Sequence, residues 1–213
     1  MKKVFISIIC GSLFLSCKPV SKSIEDTLNS QGTSVNQKEQ RKDHTVTNTE
    51  QHTEGTKTGF LNDTDRLLSA EVALKNLPQY AGKEIFIYLF LSFYDNGTIN
   101  VMLQHPENPD YVDVYDYRDG KWSAPVPKQL SVEEDIQHGL ISLNKVSFAT
   151  VAQVNKIYRE KASGIDGVKP LTNIYITVVN NVIDWYPMNI EGSRERYAIR
   201  FNTDGTLKSF KQD

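Results

Sequence analysis

The chain has 213 residues, 24 of them basic and 26 acidic, with four histidines and two cysteines. That length allows one or two domains, and the near-neutral balance without a basic stripe excludes nucleic acid as an expected partner. No Walker loop, dinucleotide fingerprint, HExxH or GxSxG pattern occurs, so no catalytic residue, metal or cofactor is expected.

Residues 1–17 read MKKVFISIICGSLFLSC. Lys2 and Lys3 precede an apolar run from Val4 to Leu15, the order of a secretory signal. The run is too short to span a bilayer, which takes about 20 apolar residues. The ending Leu13-Phe14-Leu15-Ser16-Cys17 resembles the lipobox of bacterial lipoproteins, with Phe14 where leucine is usual. The resemblance implies a signal peptide over residues 1–16 and lipid attachment at Cys17. Two or more acyl chains hold a protein stably on a membrane, where one does not. Cys10 would leave with the signal and Cys17 would be alkylated, so the mature chain would hold no thiol or disulfide although its compartment permits them. Lys18 follows the cysteine in place of the aspartate that resembles an inner-membrane retention signal. The expected location is therefore the outer membrane, facing the periplasm, with the cell surface as the alternative.

Residues 17–60 form the lipidated cysteine and a polar tether. Ser, Thr, Asn, Gln, Lys and Glu dominate from Lys18 to Gly59, and aromatics are absent. Such a segment cannot bury enough apolar area to offset its ordering entropy. Roughly 40 residues of this kind reach about 35 Å as a random coil. His44 and His52 lie in it and offer no preformed metal site.

From Leu61 the pattern becomes that of a folded domain, residues 61–213. Asn62-Asp63-Thr64-Asp65 supplies helix caps, and Leu67, Ala70, Leu74 and Leu77 follow at helical spacing. Glu84 to Tyr94, EIFIYLFLSFY, reads as a strand covered on both faces, or a central one. Asp95-Asn96-Gly97 is a hairpin signal, and Thr98 to Gln104 returns as a strand. A proline-bearing loop leads to a third strand, Tyr111 to Tyr117. Asp119-Gly120 turns it into a short fourth around Trp122. Ser131 to Lys145 reads as a connector, with a short helix or strand at Ile141 to Leu143.

The pattern then recurs 84 residues on. Leu67, Ala70 and Leu74 fall on Val151, Val154 and Tyr158 of a second helical stripe, Ser147 to Ala162. Asn96-Gly97 falls on Asn180-Asn181. Ile99 and Val101 fall on Ile183 and Trp185; Tyr115 and Tyr117 fall on Ile199 and Phe201. Asp119-Gly120 returns one residue out of register as Asp204-Gly205. The expected fold is α+β: two αβββ(β) repeats, about 61–125 and 146–213, sharing one antiparallel sheet with both helices on one face. This arrangement, and closing hairpins such as Arg196 to Leu207, resemble the tandem repeats of the beta-lactamase inhibitor protein and the related PepSY-like domains. The inhibitor's disulfide cysteines have no counterpart here. The resemblance implies a non-catalytic binding or inhibitory module of the cell envelope.

Period-two sorting places the aligned apolar residues against the helices. The other face then holds Met102, Val112, Val114 and Asp116 from the first repeat, and Asp184, Tyr186, Arg196, Ala198 and Arg200 from the second. No helix remains to cover it. Met102, Val112, Val114, Tyr186, Arg196 and Arg200 are thus the candidate partner-binding residues, against an envelope or toxin-like protein. His105 and His138 read as loop residues, and Glu133-Glu134-Asp135 as a solvated helix start. The alternatives are a structural or assembly lipoprotein, or an enzyme or small-ligand receptor, which would need a concave pocket with convergent polar groups.

Overall fold

A computed structural model describes residues 58–213. The expected signal peptide, Cys17, and residues 18–57 of the expected tether, with His44 and His52, lie outside the described residues.

Helix α1 spans Thr64–Lys75. The Asp63 side chain accepts from the Arg66 backbone N–H at 3.0 Å and starts it. Leu67, Ala70 and Leu74 are fully buried along one stripe. Helix α2 spans Thr150–Ala162 and buries Val151, Val154, Asn155 and Tyr158 in the same way.

Eleven strands are numbered in chain order, six between α1 and α2 and five after α2. The first group is β1 (Phe86–Tyr94), β2 (Ile99–Gln104), β3 (Val112–Arg118), β4 (Lys121–Trp122), β5 (Val126–Pro127) and β6 (Leu140–Ser142). The second is β7 (Asn173–Val179), β8 (Val182–Tyr186), β9 (Asn189–Glu191), β10 (Arg196–Phe201) and β11 (Leu207–Gln212). The main sheet runs β4-β3-β2-β1-β7-β8, with β5 paired to β3 and β6 to β1. All its pairings are antiparallel. Strands β11-β10-β9 form a separate three-stranded sheet. The protein is thus mixed α+β, mostly antiparallel sheet with two helices.

The central position of β1 follows from its composition. It is paired along both edges, and every one of its residues except the exposed Leu89 is buried or half-buried, as a near-continuous apolar run requires. The β1–β2 register shifts between Ile87 and Leu91, where Leu89 adopts φ 56°. This bulge divides one edge of β1 between β6 at Phe86–Tyr88 and β7 at Phe90–Tyr94. Asp95 closes the β1–β2 turn and also accepts from the Gly59 and Leu61 backbone N–H groups at 2.9 and 3.3 Å. The chain entering the fold is pinned to that turn.

One core joins both helices and both sheets. It contains Leu67, Leu74, Val151 and Val154 with Leu91, Phe93, Ile99, Val101, Tyr115, Ile176, Ile183 and Trp185, and also Ile190, Ile199 and Phe201. Each such fully buried aliphatic or phenyl side chain contributes about 1.5–3 kcal/mol of transfer free energy. The Trp122 indole N–H donates to the Ala70 carbonyl at 2.9 Å, and that of Trp185 to the Thr203 carbonyl at 3.0 Å.

The expectation of one shared sheet fails for the last hairpin. An exact copy of the Ile99–Tyr117 pairing would set Ile183 opposite Phe201. Instead β10 pairs with β9, as Tyr197 opposite Ile190. The reason lies at Pro187. It has no N–H to give to a ladder. Across it the core-facing parity changes, from odd in β8 (Ile183, Trp185) to even in β9 (Ile190). A flat continuation of β8 would turn Ile190 to solvent, so the strand breaks and the second sheet begins.

Candidate functional site

Along each strand, side chains alternate between the helix-covered face and the opposite one. Registered cross-strand pairs set five residues of the opposite face in one row across β3, β2, β1, β7 and β8. They are Asp116, Asn100, Ser92, Tyr175 and Tyr186. All are half-buried except Ser92, whose neighbours bury it. The Asn100 amide donates to the Asp116 carboxylate. The Tyr175 and Tyr186 rings stack at 4.5 Å between centroids, 7° from parallel. Burial, and then the neighbouring Tyr186, push the Tyr175 phenol above its ordinary value. Beside this row stand Thr177 and, directly opposite it on β8, the exposed Asp184. Neither helix packs on this part of the sheet, since the stripes of α1 and α2 occupy the other face.

The rest of the opposite face is covered, and here the sequence expectation is corrected. Met102 and Val112 are 5 % and 1 % exposed. They form a second cluster with Tyr88, Ile136 and Leu140, and Val114 and Leu130 pack at its margin. The cover is the connector, which folds back as a strap. Contacts with β1 and with the turn between β7 and β8 hold it. β6 pairs with β1. The Tyr88 hydroxyl donates to Glu134 at 2.5 Å. The Asn181 amide donates to the Gln137 and Leu140 carbonyls, both at 2.8 Å. Burial, and then Glu134, raise the Tyr88 phenol far above its ordinary value. The acidic run starts only a short 3-10 turn, Ile136–Gly139, where the Asp135 side chain accepts from the Gln137 backbone N–H at 2.9 Å.

The remaining candidates separate. Tyr186 stays on the open face. Arg196 and Arg200 belong to the three-stranded sheet and do not join it. Arg200 donates to the Met188 and Ile199 carbonyls at 2.5 and 2.9 Å. Arg196 lies 3.4 Å from Asp213 and 3.8 Å from Glu191. His105 accepts two backbone N–H groups of its own loop at Nδ1, those of Glu107 and Asn108. His138 pairs at 2.8 Å with Asp135 on the surface. Neither imidazole meets a buried carboxylate among these contacts. Among the described residues no group of three or more His, Cys, Asp or Glu side chains could hold a metal ion.

Sequence reasoning passed over Ser92, Asn100 and Tyr175. The usable signal was the alternation of Ile174, Ile176 and Val178, which marks Tyr175 and Thr177 as residues of the other face.

Beside the sheet, at the start of β7 and the end of β8, lies a hollow of about 750 Å³. Its wall includes Tyr158, Lys169, Asn173, Tyr175, Tyr186 and Glu191. A second hollow of about 680 Å³ shares Tyr158 and the loop 167–171.

Comparison with protein-family models, with curated proteins and with solved structures finds no match to this chain.

Proposed function

We propose that this chain is a lipid-anchored protein of the cell envelope whose folded part binds another protein through the open half of its main sheet. The observation that carries this is the row Asp116, Asn100, Ser92, Tyr175 and Tyr186 with Thr177 beside it. A half-buried face of stacked tyrosines, amides and a carboxylate suits a protein interface. Tyrosine supplies rigid amphipathic contact area, and the short polar groups supply adaptable hydrogen bonds. The anchor is the Cys17 lipid proposed from the lipobox-like ending, in the outer membrane and facing the periplasm. Among the described residues no helix is long and apolar enough to cross a membrane.

The same reading takes the fold as two diverged αβββ units joined through β1 and β7. Supporting it, the helix positions paired 84 residues apart are all buried, as are Ile99 with Ile183 and Val101 with Trp185. Divergence is greatest at Pro187, where the second unit leaves the common sheet.

The test has two arms. Cys17→Ser is expected to move the protein from the membrane to the soluble fraction; retention in the membrane overturns the anchor. Cross-linking and affinity capture from detergent-solubilised envelopes is expected to recover one specific protein. Thr177→Arg should lose it, while Val72→Asp, on the exposed side of α1, should keep it. Equal capture by both variants overturns the open-face reading.

A further inference from the structure

The hollow beside the open face has chemistry of its own. Tyr158 is 6 % exposed, and its ring packs into the main core. Among the described residues its hydroxyl makes no hydrogen bond, yet no sealed side-chain polar atom lacks a partner. The hydroxyl therefore opens into the hollows that Tyr158 lines. A phenol buried for nine-tenths of its surface, with its one polar atom turned into a cavity, is poised to bond something that enters there.

The rest of the wall narrows what that is. The volume, about 750 Å³, lies within the ~300–1,000 Å³ range of small-molecule sites. Tyr175 and Tyr186 stack on each other, so each has one ring face used up. Tyr186 belongs to β8, beyond which the main sheet has no further strand. Its second ring face is thus not covered by another strand of that sheet. The charged groups on the wall are one lysine, Lys169, and one carboxylate, Glu191. That balance disfavours a phosphate or another polyanion, which needs converging cations. The wall is mixed, with Val168, Leu171 and Met188 beside these polar groups, and a wholly apolar guest would strip the polar groups of water without replacing their hydrogen bonds. A neutral molecule with an apolar C–H face and a rim of hydroxyls meets both conditions. It can lie flat on a tyrosine ring while its hydroxyls exchange hydrogen bonds with a phenol, an amide, a carboxylate and an ammonium.

We propose that this hollow is a binding site for a neutral oligosaccharide, with one sugar ring on Tyr186 and its hydroxyls held by Tyr158, Lys169, Asn173 and Glu191. The site is separate from the protein-binding row, of which it shares only the Tyr175–Tyr186 pair. A proline-rich peptide is the competing guest, since such segments dock in aromatic-lined grooves.

The test is calorimetric titration of the detergent-solubilised full-length chain with triacetylchitotriose and with cellotriose. One of the two is expected to saturate a single site at millimolar concentration or below. Tyr158→Phe keeps the buried ring and removes only the hydroxyl; it should weaken binding about tenfold. Tyr186→Ala should abolish binding, and Tyr111→Ala, at an exposed tyrosine outside the hollow, should leave it unchanged. Thr177→Arg should retain sugar binding while losing the protein partner, which separates this site from the open-face reading. Melting curves matching the parent establish that Tyr158→Phe and Tyr186→Ala are folded; chemical-shift mapping with the parent chain replaces any variant that is not. The proposal is overturned if neither trisaccharide binds, or if Tyr158→Phe binds as the parent does. It is also overturned if the mapped shifts lie away from Tyr158 and Tyr186, or if a proline-rich peptide or pyrophosphate fills the hollow instead.

Discussion

Glu71 joins the two helical layers, and its removal should be felt by the whole domain. It lies on the buried stripe of α1, 8 % exposed. One carboxylate oxygen accepts from the Phe148 backbone N–H at 2.8 Å and from the Ser147 hydroxyl at 3.3 Å, just ahead of α2. The other accepts from the Lys75 ammonium at 2.6 Å. Phe148 is fully buried, so no water can replace a lost acceptor for its N–H without the fold opening. Glu71→Ala leaves that N–H unpaired and removes a charge-assisted bond. Each of these effects is worth about 1–3 kcal/mol, and they overlap, so the expected loss is about 2–3 kcal/mol. Glu71→Gln retains an acceptor and should cost about 1 kcal/mol. Lys75→Met should cost about 0.5 kcal/mol, because the lysine side chain is 41 % exposed and its ion pair is screened. For a domain of this size 1 kcal/mol moves Tm by about 2–4 °C, so Glu71→Ala should melt about 5–10 °C lower. Urea unfolding followed by Trp122 and Trp185 fluorescence measures the loss, and one coincident transition is expected because both helices share a core. The reasoning is refuted if Glu71→Ala stays within about 0.5 kcal/mol of the parent, or if Glu71→Gln is as damaging as Glu71→Ala.

Two further outcomes are expected. Gly205 has φ +78°, and a Cβ there would stand 2.3 Å from the Thr150 methyl, whereas at Gly120, φ +80°, a Cβ would meet nothing within 4 Å. Gly205→Ala should therefore cost about 2–4 kcal/mol from backbone strain plus crowding against α2, and Gly120→Ala only about 1–2 kcal/mol from the backbone alone; equal losses in urea unfolding would refute the role of Thr150. The Asp204 carboxyl is held below its ordinary value of 3.8, first by the Thr206 hydroxyl and then by the Thr206 backbone N–H. A lowered folded-state value makes its contribution present above the unfolded-state value and lost as pH falls through the folded-state one. Asp204→Asn should thus flatten the decline of stability below about pH 4, and an unchanged acid limb would contradict this.

Local chemistry was legible where it is governed by neighbours in the chain. The stripes Leu67-Ala70-Leu74 and Val151-Val154-Tyr158 are buried as helical spacing requires. The Asp119-Gly120 turn has φ +50° and +80° at its two residues, the left-handed pair that a two-residue hairpin takes. Tyr115, Tyr117, Ile183 and Trp185 face the core by alternation alone. The face expected to be open is only partly uncovered, because alternation tells which side of a sheet a residue takes and not what lies over that side. Met102 and Val112 were placed on the correct face, but the strap covers them. Nothing near them in sequence announces Ile136 and Leu140, more than 20 residues away. The open row was missed for the same reason. Ser92, Asn100 and Tyr175 become neighbours only through the registers of two strand pairs, β1–β2 and β1–β7.

The sequence by itself determined the elements: two amphipathic helices, the strand alternation and the turns. These follow from side-chain periodicity and backbone preferences acting within a few residues. Tertiary structure alone decided the rest. It broke the second unit at Pro187, laid the connector over one half of a sheet face, left the other half open, and turned the Tyr158 hydroxyl into a hollow. Each of these depends on which distant segments compete to cover the same apolar area. That competition is settled by packing between segments, and no single stretch of the chain records its outcome.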